Sequence, residues 1–177
     1  MSTITETKAV PAGTWTVDKV HSAVGFAVDY LAGTFTGSFS DFDASVSDGV
    51  LRGSAKVASV QVKDPNLEAH LQAPDFFDAE RHPELTFESK DIKVEGDEVA
   101  IDGEITIKGH SEPVAITGVI SEPIADPYGG ERFGLKLEAT IDRDKFGISW
   151  NNPLPSGDKA LANEVTILAE LQLSKEA

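Results

Sequence analysis

The chain contains no cysteine, which removes disulfides, thiolate metal sites, lipoprotein anchoring and cysteine nucleophiles together. Cationic side chains are scarce: 15 Lys and Arg stand against 30 Asp and Glu, a formal net charge of −15. No basic field is available to draw in nucleic acid or an anionic membrane, and the surplus acid reads as a surface that keeps a soluble protein dispersed. No apolar run approaches the roughly 20 residues that a membrane-spanning helix requires. Residues 1–11 carry Glu6 and Lys8 among threonines without an apolar block. That segment therefore reads as no secretory signal, and the expected compartment is the cytoplasm. With 2 Trp and 2 Tyr there is little for the interfacial girdles of an outer-membrane barrel, so no stable membrane insertion is expected.

Long amphipathic helices are missing too. What the chain has instead is alternation: Phe133, Leu135, Leu137, Ala139 and Ile141 take every second place, with Gly134, Lys136, Glu138 and Thr140 between them. This is a strand with one dry and one wet face. The same rhythm runs through Val24, Phe26, Val28 and Tyr30, through Leu51–Val62, and through Leu85 and Phe87. It returns at Val99, Ile101, Ile105 and Ile107, at Val114 and Ile116, and at Val165 to Leu173. One stretch differs. Asp64 suits a helix N-cap, Pro65 the first helical position, and Pro74 a stop, with Leu67 and Leu71 one turn apart. The expectation is an all-β protein: an antiparallel up-and-down barrel of about eight strands with a short helical insert near residues 64–83. A flexible tail over residues 1–13 would precede a single domain over residues 14–177.

Sharp catalytic patterns are absent. The four histidines show no HExxH or paired ligand spacing, so no metal and no cofactor are expected. There is no GxSxG elbow, and Asp18, His21 and Ser22 lie too close in sequence to be read as a triad. No catalytic residue is assigned. Arg143 and Lys145 form a rare basic pair, read either as surface salt bridging or as Arg143 beside a ligand's polar end. The inward set Phe26, Phe87, Phe133, Leu135, Leu137, Ile105 and Ile107 either fills a dry core or, with Val28 and Phe35, lines a pocket, because periodicity shows facing but not volume. Phe76 and Phe77 on the insert would cap one barrel end as a lid, or plug it permanently.

Three segments together resemble the YceI-like family. They are VDKVHSAVGFAV (residues 17–28), HLQAPDFFDAERHPELTFES (residues 70–89), and GEITIKGHSEPV (residues 103–114) joined with IDRDKFGISWN (residues 141–151) and NEVTILAELQL (residues 163–173). The resemblance implies a lipocalin-like barrel that binds polyisoprenoid lipids, and dimerisation. Phe146 and Trp150 would then add to the tail-gripping wall. His21, Arg81, His82, Arg143 and Asn151 would meet the polar head at the rim. Many relatives carry a His-Leu or His-Met pair where this chain has Asp29, Tyr30 and Leu31; if that position meets the head, Asp29 would repel an anion. The leading expectation is a carrier of a long-chain isoprenoid or similar amphiphile. The alternatives are an enzyme acting on a lipid or quinone-like substrate in the same barrel, and a filled-core protein whose acidic exterior meets a partner.

Overall fold

The computed structural model describes residues 7–8 and 10–176. Its strands are β1 (Thr7–Lys8), β2 (Thr14–Val17), β3 (Ala23–Tyr30), β4 (Gly33–Phe39), β5 (Phe42–Ser47), β6 (Val50–Lys56) and β7 (Val60–Gln61). After helix α1 (Pro65–Gln72) come β8 (Glu84–Glu95), β9 (Glu98–Ile107), β10 (His110–Ile120), β11 (Ile124–Ala125), β12 (Glu131–Asp142) and β13 (Leu161–Lys175). Three long strands are each broken once. A tight 3-10 turn at Lys19–His21 separates β2 from β3, residues 40–41 separate β4 from β5, and a second 3-10 turn at Val57–Ser59 separates β6 from β7. Pairing runs across the breaks: β2 with β5 and β3 with β4, then β5 with β6 and β4 with β7. Each broken pair thus acts as one strand of the wall.

The wall closes on β13. One edge of it pairs with β12 from Arg132↔Ser174 to Asp142↔Glu164, and the other with β2 and β3. The result is a closed antiparallel barrel of eight strands in up-and-down order, with one short helix between the third and fourth. Closure leaves no long unpaired edge. Asp48–Gly49 and Lys108–Gly109 both hold positive φ, at 54° and 77° and at 52° and 78°, as the primed two-residue hairpin turns require. Of the segment expected as a tail, residues 1–6 and 9 lie outside the described residues; Thr7 and Lys8 pair with Glu95 and Val94 of β8.

One strand changes parity partway. Leu85, Phe87 and Ser89 face inward, then Ile92 and Val94, because a bulge between Ser89 and Asp91 inserts an extra residue against β9. Ser89 is buried there, and its hydroxyl accepts the backbone N–H of Leu51 at 2.8 Å. The inward hydroxyl at the bulge is therefore paired.

The barrel is filled from one end only. At the end where β2 begins and β13 finishes, Trp15, Val46, Ile101, Phe133, Leu135 and Leu173 are almost wholly buried. Trp15 meets Phe133 edge-on, with ring centroids 4.8 Å apart. At the opposite end, which carries α1, side chains of the same inward parity are only half-buried: Phe26, Phe35, Phe87, Ile105, Ile116, Val165 and Ile167. Along β13 alone, Val165, Ile167 and Ala169 are half-buried while Leu171 and Leu173 are buried. Burying a large apolar side chain stabilises by about 1.5–3 kcal/mol, so the packed end anchors the fold. The half-buried set faces empty space.

Candidate functional site: an apolar chamber under the helical insert

That space is a chamber of about 400 Å³. Its floor is set by Leu51 and Leu171, its wall by Phe26, Phe87, Ile105, Ile116 and Leu137, and its cover by Phe76 and Phe77. An engineered cavity of about 150 Å³ already holds a benzene, so this one has room for a guest of many carbons. Ligand pockets of small molecules start near about 300 Å³.

The cover is built by local sequence. Asp64 accepts the backbone N–H groups of Asn66 at 2.8 Å and Leu67 at 3.2 Å, and Pro65 occupies the first turn, so α1 starts where expected. Leu67, His70 and Leu71 turn toward the chamber. After Ala73 the chain folds back: Phe77 N–H donates to the Leu71 carbonyl at 3.0 Å and Ala79 N–H to the Gln72 carbonyl at 2.9 Å. Phe76 is thereby set against His70 and Trp150, with centroids at 4.8 and 5.4 Å, and His70 meets Trp150 at 5.1 Å. Phe77 is set between Phe26 at 6.2 Å and Phe39 at 5.9 Å. The insert is also latched from across the mouth. Lys108 Nζ donates to the Pro74 carbonyl and, at 3.2 Å, to the Gly147 carbonyl.

Arg143 opens a 3-10 turn over residues 143–146, whose last turn is closed by Gly147 at φ 72°. The reading of Arg143 as a surface salt-bridging residue is overturned: it is 3% exposed and borders the chamber. All its hydrogen bonds run to backbone carbonyls, Nε to Ala162 (2.8 Å), Nη1 to Ile148 (2.8 Å) and Trp150 (2.7 Å), and Nη2 to Leu161 (3.2 Å). Burial pulls its proton affinity below the ordinary guanidinium value, against an opposing field from Asp144 and Asp142. Two of the accepting carbonyls, Leu161 and Ala162, lie where β13 bulges away from β3.

Of the side chains expected at a ligand site, Phe26, Val28, Phe35, Phe76, Phe77, Phe87, Ile105, Ile107, Leu137, Arg143, Phe146 and Trp150 share this one chamber. Leu135 does not border it; it lies in the packed half. His21 sits on the outer surface, because the 3-10 turn between β2 and β3 swings it out, and its Nδ1 is 2.8 Å from Asp18 Oδ2. Asp18 also takes Nη1 of Arg132, whose Nε is 3.2 Å from Asp126. Hydrogen bonds from His21 first and Arg132 second hold the Asp18 carboxyl well below the usual carboxylate range. Arg81 points to solvent beside Asp78 at 3.8 Å, and His82 packs over Gly109. Asn151 is a staple: its amide donates to the Leu161 carbonyl at 2.8 Å and accepts the Leu161 N–H at 3.0 Å. Asp29 faces out, accepting from Thr34 at 3.1 Å, while its neighbour Val28 faces in. It therefore does not confront a guest. Sequence reasoning missed His70, Phe39, Ile116, Val165 and Lys108. All but Lys108 followed from the same parity or helical spacing already used. Among the described residues no group of three or more His, Cys, Asp or Glu is placed to hold a metal ion, and no helix is long and apolar enough to cross a membrane.

Fold and chamber together define a closed antiparallel barrel, packed at one end and hollow beneath a helical cover at the other. The chain belongs to the YceI-like family: the YceI-like domain model matches residues 15–173. The UPF0312 protein of Pseudomonas aeruginosa is 31% identical over 147 residues, 77% of this chain and 77% of that protein. Among solved structures, BcnA of Burkholderia cenocepacia superposes with a TM-score of 0.77 at 24% identity, covering 88% of this chain and 98% of BcnA. A Saccharophagus degradans domain, described as polyisoprenoid binding and implicated in plant cell wall breakdown, superposes with a TM-score of 0.69 at 11% identity. The match covers 92% of this chain and 98% of that domain.

Proposed function

We propose that the protein is a binding and carrier protein for a long-chain isoprenoid or similar amphiphilic lipid, held tail-inward in the barrel. The observation that carries the reading is the apolar chamber of about 400 Å³ inside an otherwise well-packed wall. Each methylene buried there contributes about 0.8 kcal/mol before ordering costs, so a long tail binds with few polar contacts. The structural likeness to a polyisoprenoid-binding domain points the same way.

Carriage rather than turnover is supported by the make-up of the wall. The ionisable residues that border the chamber are Tyr30, Asp43, His70, Glu138 and Arg143, spread among aromatic and aliphatic groups, and of these Asp43 and Glu138 are exposed. His70 Nε2 lies 3.5 Å from the exposed carboxylate of Asp75 and Arg143 donates to backbone carbonyls, so among the described residues neither is hydrogen-bonded to a hydroxyl, the pairing that would activate a nucleophile. The test is native mass spectrometry of protein purified from its own host, with and without exposure to lipid extract. A mass increment released by collision is the expected result. Bare polypeptide in every preparation would overturn the carrier reading.

A further inference from the structure

The chamber is bordered by a buried cation that forms no ion pair among the described residues. A guanidinium has five N–H groups, one on Nε and two on each Nη. The backbone carbonyls of Ala162, Ile148, Trp150 and Leu161 use four of them, leaving one on Nη2. Those acceptors are dipoles, not charges, and among the described residues no carboxylate pairs with the group. The nearest acidic neighbours act only through space: Asp142 is engaged in capping the Asp144 N–H at 3.0 Å, and Asp144 is exposed. Burying a charge without a counter-charge is unfavourable, and the four carbonyl contacts prevent the group from turning out to water. Beside it the wall is apolar, formed by Phe146, Ile148, Trp150 and Leu161.

We propose that the guest is a single-chain monocarboxylate of roughly sixteen carbons, scaled from the benzene-sized cavity, with its head on the free Nη2 N–H of Arg143 and its tail running toward Leu51 and Leu171. The inference rests on the carrier reading and narrows it. One buried cation balances one negative charge, and a charge-assisted bond from Arg to carboxylate is stronger than one to a hydroxyl. A pyrophosphate brings more charge and more acceptor oxygens than one free N–H can meet. The floor stops the tail: below Leu171 the barrel is occupied by Leu173, Phe133 and Trp15.

Calorimetric titration of delipidated protein with hexadecanoate, hexadecan-1-ol, hexadecyl phosphate, docosanoate and farnesol tests each part. Hexadecanoate is expected to bind about tenfold or more tighter than the alcohol. In Arg143→Met the ratio of acid to alcohol affinity should fall to about one. Equal affinity of acid and alcohol in the unmodified protein overturns the head-group assignment while leaving the carrier reading intact. Tighter binding of the phosphate overturns the choice of carboxylate, and docosanoate binding as tightly as hexadecanoate overturns the length. Failure of all five ligands to bind overturns the monocarboxylate assignment, whereas bare polypeptide in the mass-spectrometric test overturns the carrier reading itself. If Arg143→Met does not fold, the ligand series on the unmodified protein still decides.

Discussion

The ring of Phe26 packs against Gly37 on the neighbouring strand, so close that a Cβ on Gly37 would fall 2.6 Å from Phe26 Cζ and 3.1 Å from Val62. Phe87 packs against Gly103 at 2.6 Å from the same hypothetical Cβ, which would there also meet the Glu88 backbone carbonyl at 2.5 Å. Both glycines let an aromatic ring press against the wall instead of projecting into the chamber, which is how two large side chains line the hollow without filling it.

Gly37→Ala should therefore push the Phe26 ring inward and shrink the chamber. Affinity for a long-chain fluorescent lipid probe is expected to fall about tenfold, with a stability change of about 1 kcal/mol because the ring can tilt. Unchanged probe affinity would mean that the ring yields along the wall and not into the hollow.

Lys108 ties the insert to the turn at Gly147 through two carbonyls. Lys108→Met removes both bonds while keeping the aliphatic stem. Stopped-flow release of a bound lipid should quicken several-fold, and the melting transition should drop by the equivalent of about 1 kcal/mol. If release is unaffected, the insert is held by Phe76 and Phe77 alone.

The two ends of the barrel should respond differently to the same truncation. Phe133→Ala opens a void in the packed end and should cost about 3–5 kcal/mol in urea unfolding. Phe87→Ala removes a ring that already borders empty space, so about 1–2 kcal/mol is expected. Equal losses would contradict the half-filled description.

Acid should unlock the outer network only below the ordinary carboxylate range. Asp18 is held ionised by His21 and Arg132, and Asp126 is held low chiefly by the N–H groups of Gly130 and Tyr128. Both folded values lie below the unfolded one of 3.8. Within that window the unfolded chain binds more protons. Stability from these groups is thus fully present above about pH 5 and is lost as pH falls through the folded values. Asp18→Asn should lower the urea midpoint at pH 7 and flatten its decline between about pH 4 and pH 2. An unaltered slope would show that other carboxylates govern acid unfolding.

The wall was legible in the sequence because one face of each strand is dry. A slip by one residue would turn Phe133, Leu135 and Leu137 to water, so pattern and register coincide. The insert was legible from Asp64, Pro65 and Pro74, which act locally. Depth along the barrel axis was not: Leu135 and Leu137 share a parity, yet only Leu137 borders the chamber. Nor was the burial of Arg143, since its carbonyl partners are brought together by the aperiodic segment between residues 143 and 161. His21 was misplaced because a turn of three residues interrupts the strand that carries it.

The solid floor gives the cup an adjustable depth. Leu51 and Leu171 stand where the hollow stops, and neither contributes a side-chain hydrogen bond to the wall. Shaving either one would let a longer tail reach further down, and a bulkier replacement would act as a piston. Guest length can thus shift by single exchanges at the stop, while the hydrogen-bonded staves around it stay as they are.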